Sequence, residues 1–316
     1  MPPSLLIVDG NNLFYRAFYA LPRLTAPDGT PTGAVFGFAR MLAKVIDSFS
    51  PTHVAVVFDA PGRTFRDEMF EAYKETRQKM PEEMSLQLPL VKELVRRAGL
   101  ALLEVEGVEA DDVIATLATR GKEEGLSVII VSSDKDLCQL VGDGVVLFDS
   151  LKDRVIDADY VREKYGVPPE RIVDLIALAG DQSDNIPGVP GIGDKTAASL
   201  LREYGSLDGL LKNAEFIKGK RGQLIRDHVE EISLSRDLAR VRRDLDLPVD
   251  LKDLSPAEKD AAGLREMFRK LGFTVPLFGI SPRERGEEEG GAQEVKVRPV
   301  TSARDLESFL DEAGEQ

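Results

Sequence analysis

Three short apolar runs in this chain each lead into an aspartate. Leu5–Val8 leads into Asp9, Val54–Phe58 into Asp59, and Val128–Val131, through two serines, into Asp134. With Val145–Phe148 these runs have the length and β-branched content of strands. Longer segments with helical spacing, such as Val35–Phe49 and Leu86–Ala98, lie between them. The alternation predicts an α/β fold, a parallel sheet flanked by helices. In such a sheet the C-terminal ends of the strands face one crevice, where ligands bind. The three aspartates are therefore expected to converge in space.

Other acids join them. Asp136 follows Asp134 by two residues, and Glu109-Ala110-Asp111-Asp112 sits where a helix should begin. Asp181 and Asp184 are spaced to share one helical face. Ionised carboxylates cannot crowd one crevice without raised pKa values or bound cations. Hard divalent ions such as Mg2+ take all-oxygen shells, and a pair of them suits in-line displacement at phosphorus. The residue types therefore fit phosphodiester hydrolysis. Any one aspartate after a strand could instead cap a turn, and Asp112 in particular could cap or brace.

The 316 residues allow two packed units plus a tail, since domains run roughly 100–200 residues. The net charge of −14 argues against a general electrostatic coating of nucleic acid, although local sign matters more than the sum. The single cysteine, Cys138, excludes an internal disulfide and reads as core. His53 and His228 lack ligand spacing, so a zinc site is not expected. No apolar stretch approaches membrane-spanning length, and the Leu5–Val8 run is too short for a signal peptide. A soluble, cytoplasmic, monomeric protein with no membrane partner is expected.

Residues 62–85 break the rhythm. Arg63, Arg66, Lys74, Arg77 and Lys79 stand among Phe65, Phe70 and Tyr73, with Lys74 and Arg77 one turn apart on an expected helix. Cations interleaved with aromatics suit single-stranded nucleic acid. The interspersed Asp67, Glu68, Glu71 and Glu75 are equally the mark of a solvated helix. After residue 158 the pattern turns helical, with Asp157–Lys164, Glu170–Leu178, Ala197–Tyr204, Leu207–Asn213, Leu224–Leu234 and Asp260–Leu271 as candidates. Glu215–Gln223 reads as a basic loop. Lys218, Lys220 and Arg221, then Arg236, Arg240, Arg242 and Arg243, form a second basic stretch that could contact duplex phosphates. Arg283–Gly291 reads as a linker, followed by a strand at Val295–Val300 and a helix at Ala303–Ala313. A tail that short cannot bury a core alone.

Between two of these helices lies Gly180-Asp-Gln-Ser-Asp-Asn-Ile-Pro-Gly188, continuing through Gly191 and Gly193 to Lys195 and Thr196. Glycines permit close backbone approach, and amides at the next helix start suit a phosphate. A nucleotide-binding P-loop is a poor fit. Asp194 occupies the required lysine position, and no strand precedes.

Together, Ile7-Val8-Asp9-Gly-Asn-Asn, Tyr73-Lys74, Glu109-Ala-Asp-Asp112, Ser-Ser-Asp134-Lys-Asp136-Leu and Gly180–Gly188 resemble the 5′ nuclease domains of bacterial DNA polymerase I. These belong to the flap endonuclease, or 5′–3′ exonuclease, family. The resemblance covers about residues 4–280, with no departure at the acidic positions. It implies a PIN-like nuclease domain over 1–158, with an arch at 62–85, and a helical DNA-binding domain with a helix-hairpin-helix variant over 159–280. It further implies a linker over 281–293 and the start of a 3′–5′ exonuclease-like domain over 294–316, without polymerase activity.

The activity implied is two-metal hydrolysis of DNA at 5′ flaps, nicks or free 5′ ends, in replication and repair. Asp9, Asp59, Glu109 and Asp111 would gather at one Mg2+ or Mn2+, with Asp112 in or beside the shell. Asp134, Asp136 and Asp181, with Asp184 beside them, would gather at the second. Lys74 and Arg77 would steady the scissile phosphate. Arg63, Arg66, Tyr73 and Lys79 would touch DNA, and Gly188, Gly191, Gly193, Lys195 and Thr196 would grip the duplex, with K+ on the hairpin carbonyls. A non-cleaving module for branched DNA and a PIN-type ribonuclease are the alternatives.

Overall fold

The computed structural model describes residues 3–21 and 23–282. The tail elements expected beyond residue 282, with most of the linker, lie outside the described residues. In chain order the elements are β1 (Ser4–Asp9), α1 (Gly10–Ala20), α2 (Gly33–Phe49), β2 (His53–Val57), α3 (Phe65–Met69), α4 (Glu82–Ser85), α5 (Leu88–Arg97), β3 (Ala101–Leu103), α6 (Ala110–Glu123), β4 (Ser127–Val131), β5 (Val145–Asp149) and β6 (Arg154–Ile156). A helical region follows, with α7 (Ala158–Tyr165), α8 (Ile172–Ala179), α9 (Asp194–Tyr204), α10 (Leu207–Lys212), α11 (Gly219–Asp227), α12 (Val229–Ala239) and α13 (Ala261–Lys270).

The strands lie in the order β3-β2-β1-β4-β5-β6. All pairings are parallel except β5 with β6. Along β1, Leu5 and Ile7 enter one hydrophobic cluster with α6, α8 and α9, while Leu6 and Val8 enter another with α1, α2, α5 and α13. Both faces are covered, which is why the strand sequences are continuously apolar rather than alternating. The four strands expected from sequence are present. Two were not legible. β3 has three residues, and β6 is an antiparallel edge with exposed Arg154 and Val155. Neither offers a buried run long enough to stand out.

Strand order reverses at β1, which lies between β2 and β4. A reversal of this kind opens a crevice beyond the carboxyl ends of the strands. Asp9 closes β1 there, and its side chain caps α1 by accepting from the Asn12 amide at 2.9 Å. Asp134 follows β4 on the adjacent strand.

Local expectations differed from the structure at four places. Lys74 and Arg77 are not helical. Lys74 takes φ 55°, and its amide donates to the Asp184 carbonyl at 3.0 Å, so a long-range bond replaces the helical one. Asp181 and Asp184 also lie in a turn rather than on a helix. Gly180 at φ 75° ends α8, and Asp181 and Ile186 exchange backbone hydrogen bonds at 2.9 and 2.8 Å. Glu215–Gln223 is not wholly loop, because α11 begins at Gly219. Gly222 belongs inside that helix because a Cβ there would lie 1.9 Å from the Ile217 carbonyl oxygen. The helix expected over Leu224–Leu234 is interrupted at His228.

Candidate active site

Five segments deliver acids to the crevice. Asp9 comes from the end of β1 and Asp59 from just beyond β2. Glu109 and Asp111 come from the start of α6. Asp134 and Asp136 follow β4, and Asp181 and Asp184 follow α8. Asp59 is tied to the α6 start, where its Oδ1 accepts from the Ala110 amide at 2.8 Å. Ser132 Oγ donates to Asp9 at 2.8 Å, which anchors the β4 exit to the β1 exit. The β4 exit and the α8–α9 hairpin line one cleft of about 590 Å³, together with Asn12, Arg77, Lys135 and Asp194.

Apart from Asp59, which the Ala110 amide holds, the acids divide into two groups by what compensates them. Asp9, Asp111, Asp134 and Asp136 sit against one another, and none has a salt bridge among the described residues. Burial pushes the Asp9 carboxyl up to about 7, with Asp134 and Asp59 adding repulsion that bonds from Asn12 and Ser132 partly offset. Burial, then Asp134 and Asp9, raises Asp111 well above the usual range. Asp136 is raised the same way by burial and by Asp134, Asp184 and Asp181. Asp134 is raised by burial, with Asp184 and Asp181 adding repulsion. Asp136 Oδ1 is buried without a hydrogen-bond partner.

The second group is clamped by cations. Lys74 Nζ bonds Glu109 and lies 3.6 Å from Asp184. Arg77 pairs with Asp184 at 2.5 Å and Lys135 with Asp181 at 2.6 Å. Although burial opposes the charge of Lys74, Glu109 and Asp184 more than offset it and hold its pKa up. Burial is the largest influence on Asp181 and opposes its charge, but the bond and charge of Lys135 together with the Ser183 and Asp184 amides outweigh it and hold that carboxyl below the usual range. Among the described residues no three acids close into a ready-made metal cage. The donor set still fits a hard divalent cation, since every donor is a carboxylate oxygen and one is buried and unpartnered.

Several expected contacts have a different role. Arg66, expected to touch DNA, is 2% exposed. It makes a two-pronged pair with Asp112 at 2.7 and 2.8 Å, and donates to the carbonyls of Leu238 and Arg240 at 2.9 Å. Asp112, expected near a metal, is fully buried in that pair and closes a capping box with Glu109. An unpaired buried charge is very costly, so these two hold each other. Tyr73 is buried too, its hydroxyl bridging Glu109 and Asp184 at 3.1 Å each. Gly188 is buried and cannot face a duplex. Its amide donates to Ser235 Oγ at 3.0 Å, and a Cβ would lie 2.2 Å from the Gly180 nitrogen.

Arg63, Lys79, Gly191, Gly193 and Lys195 are exposed and Thr196 half-buried. Asn12 and Lys135 were missed. Both stood inside the acidic motifs, Asn12 three residues after Asp9 and Lys135 between two aspartates. Asn12 Oδ1 accepts from the Ser133 amide and hydroxyl at 3.3 and 3.2 Å, joining α1 to the β4 exit. Cys138 is buried as expected, which pushes its thiol up to about 12.

A carboxylate-lined crevice at the switch point of such a sheet, with a helical hairpin beside it, defines a PIN-like nuclease fold. Two family profiles match the chain. The 5′-3′ exonuclease N-terminal resolvase-like domain matches residues 4–166, and the 5′-3′ exonuclease C-terminal SAM fold matches residues 167–262. The chain belongs to the 5′-3′ exonuclease family.

The 5′-3′ exonuclease of Aquifex aeolicus is 41% identical over 268 residues, covering 85% of this chain and 92% of that protein. DNA polymerase I of Rhizobium leguminosarum is 47% identical over 280 residues, and the thermostable DNA polymerase I of Thermus thermophilus 47% over 279. These alignments cover 86% and 87% of this chain, but only 28% and 33% of the relatives' own length.

Among solved structures, the bacteriophage T5 flap endonuclease in a pseudo-enzyme–product complex with DNA and metal ions is similar at TM-score 0.65 and 25% identity, covering 75% of this chain and 88% of that one. Flap endonuclease-1 from Methanococcus jannaschii shares the fold at TM-score 0.57 and 18% identity, covering 84% and 86%. No helix among the described residues is long and apolar enough to cross a membrane.

Proposed function

We propose that this chain hydrolyses DNA phosphodiester bonds at 5′ flaps, nicks and free 5′ ends, using divalent cations held in the carboxylate crevice. The observation that carries this reading is the convergence of acids from five separate segments on one crevice, with Lys74 and Arg77 beside them. The family membership and the relatives named as exonuclease and flap endonuclease support it.

Asp9, Asp59, Glu109 and Asp111 would hold one Mg2+ or Mn2+, and Asp134, Asp136, Asp181 and Asp184 a second. Such ions, when bound, supply an activated water and neutralise charge on the phosphoryl oxygens. Lys74 and Arg77 now neutralise Glu109 and Asp184. As cations at the crevice they also attract a phosphate, so an incoming strand can exchange their carboxylate partners for its own oxygens. Tyr73 keeps Glu109 and Asp184 apart and oriented while that exchange occurs. Ser132 and Asn12 hold Asp9 and the β4 exit in register.

Residues 1–158 carry this chemistry. Residues 159–280 grip the duplex through the exposed Gly191, Gly193, Lys195 and Thr196, with K+ on the hairpin carbonyls. Arg63 and Lys79 meet the single strand at the exposed ends of the arch. The chain acts as a soluble cytoplasmic monomer.

The test is cleavage of a labelled 5′-flap duplex in Mg2+ or Mn2+ against EDTA, with an RNA flap as control. Metal-dependent cutting of DNA in preference to RNA is expected. DNA binding without any metal-dependent product would overturn the reading.

A further inference from the structure

The turn between α10 and α11 presents an aromatic ring to solvent where a folded chain would normally bury one. Phe216 is 79% exposed. Around it Lys212, Lys218, Lys220 and Arg221 are all exposed, and none has a salt bridge among the described residues. Glu215 is the one acid in the 212–221 stretch, which therefore carries a local charge of opposite sign to the chain's net −14.

The turn is firmly built. Arg226 donates to the carbonyls of Ala214 and Ile217 at 2.6 and 3.3 Å. Ile217 is buried, and only glycine fits at position 222 against its carbonyl. Phe216 is thus held outward by a packed frame rather than left on a loose strand.

The position of α11 links this turn to the glycine hairpin. A Cβ on Gly191 would lie 3.8 Å from Leu224 Cδ1, so α11 runs alongside the hairpin. Lys220 precedes Leu224 by four residues and Arg221 by three, which puts both one turn along on the same flank. The cationic start of α11 therefore lies on the flank that carries Leu224 toward the exposed hairpin backbone.

We infer that the 212–222 turn is a second contact for the duplex, in which Lys218, Lys220 and Arg221 neutralise backbone phosphates and Phe216 enters the minor groove. Cations suit the phosphate charge, and an apolar wedge among them suits the groove floor and sugar edges. The inference rests on the nuclease reading only for the identity of the ligand as duplex DNA, and it concerns grip rather than cleavage.

The test is equilibrium binding by the full chain in EDTA, read by fluorescence anisotropy across a salt series. The probes are a labelled 5′-flap duplex and a labelled single strand. Combined K218A, K220A and R221A substitutions are expected to weaken duplex binding at least tenfold. They should also flatten the salt dependence by about 0.9 per lost phosphate contact. F216A is expected to weaken duplex binding about fivefold with no change in salt slope. Single-strand binding should be unchanged in both, and cleavage at saturating flap duplex should stay within twofold of the parent.

Unchanged duplex affinity and slope would overturn the inference, as would equal losses on both probes, which mark an unspecific basic patch. Failure of the parent to cut in Mg2+ while these binding losses persist would sink the nuclease reading and leave the duplex contact standing.

Discussion

The two groups of acids in the crevice differ less in chemistry than in company. Asp9, Asp111, Asp134 and Asp136 face one another with no cation paired to them, and burial and mutual repulsion hold their pKa values up. Glu109, Asp181 and Asp184 are each held by Lys74, Lys135 or Arg77. The first group is an electrostatic deficit that an external cation would relieve, and the second is already relieved by the protein. The contrast teaches which acids stand open to a cation and which must first exchange a lysine or arginine partner for one.

The largest expected effect is on the uncompensated group. Asp134→Ala should cut flap cleavage by on the order of 10^3-fold. Its melting temperature in EDTA should not fall, because relief from burial and from the repulsion of Asp184 and Asp181 offsets the lost bond from the Asp136 amide. Cleavage kinetics and a thermal melt check both halves. A variant that is inactive because it unfolds would place Asp134 in the framework instead.

Next is the pair buried beneath the arch. Asp112→Ala leaves Arg66 in the interior without its carboxylate, and breaking such a pair costs roughly 3–5 kcal/mol. The pair is 2% and 0% exposed, so solvent screening does not reduce that figure. Denaturant unfolding should show the loss, with Arg66→Ala giving a similar one. Adjacent Asp111→Ala should instead abolish activity and spare stability. If Asp111→Ala and Asp112→Ala shift stability equally, the division between ligand-facing and framework acids fails.

Asp111 and Asp112 also mark the limit of what the sequence discloses. Strand ends and their acids are legible because a fully buried strand leaves a run of apolar residues, and topology sends its end to a known edge. The roles of Arg66, Tyr73 and Gly188 are not. Arg66 lies in a stretch whose alternating charges look like a solvated helix, yet its partners are 46, 172 and 174 residues away. Tyr73 likewise meets acids 36 and 111 residues distant. No local period encodes such contacts. The turn at Lys74 is set the same way, by a backbone bond to Asp184 that overrides helical spacing.

A smaller effect is expected at Lys135. Lys135→Ala frees Asp181 and adds its charge to the repelling group, so cleavage should fall about tenfold, or ~1.4 kcal/mol. The loss should be partly recovered at higher Mg2+, because the freed carboxylate then needs a cation more than before. A loss insensitive to Mg2+ would mean that Lys135 contacts the substrate directly.

The most diagnostic effect is on pH dependence without metal. Asp9 is raised from 3.8 to about 7 in the folded chain. The native state therefore keeps a proton that the unfolded chain has lost between about pH 4 and 7. Stability from this group is fully present below the unfolded value and is lost as pH rises through about 7. Asp111, Asp134 and Asp136 are shifted in the same direction and add to it. Asp181, Asp208 and Glu266 are shifted the other way, and their contribution is lost only in acid, below the usual carboxylate range. In EDTA the melting temperature should therefore drop by a few degrees between pH 5.5 and 8.5, on the order of 1–2 kcal/mol. In Mg2+ the trend should invert, since cation binding needs ionised carboxylates and strengthens as they lose protons. A flat profile in EDTA would mean that these four acids are already compensated, and the difference between the two groups would vanish.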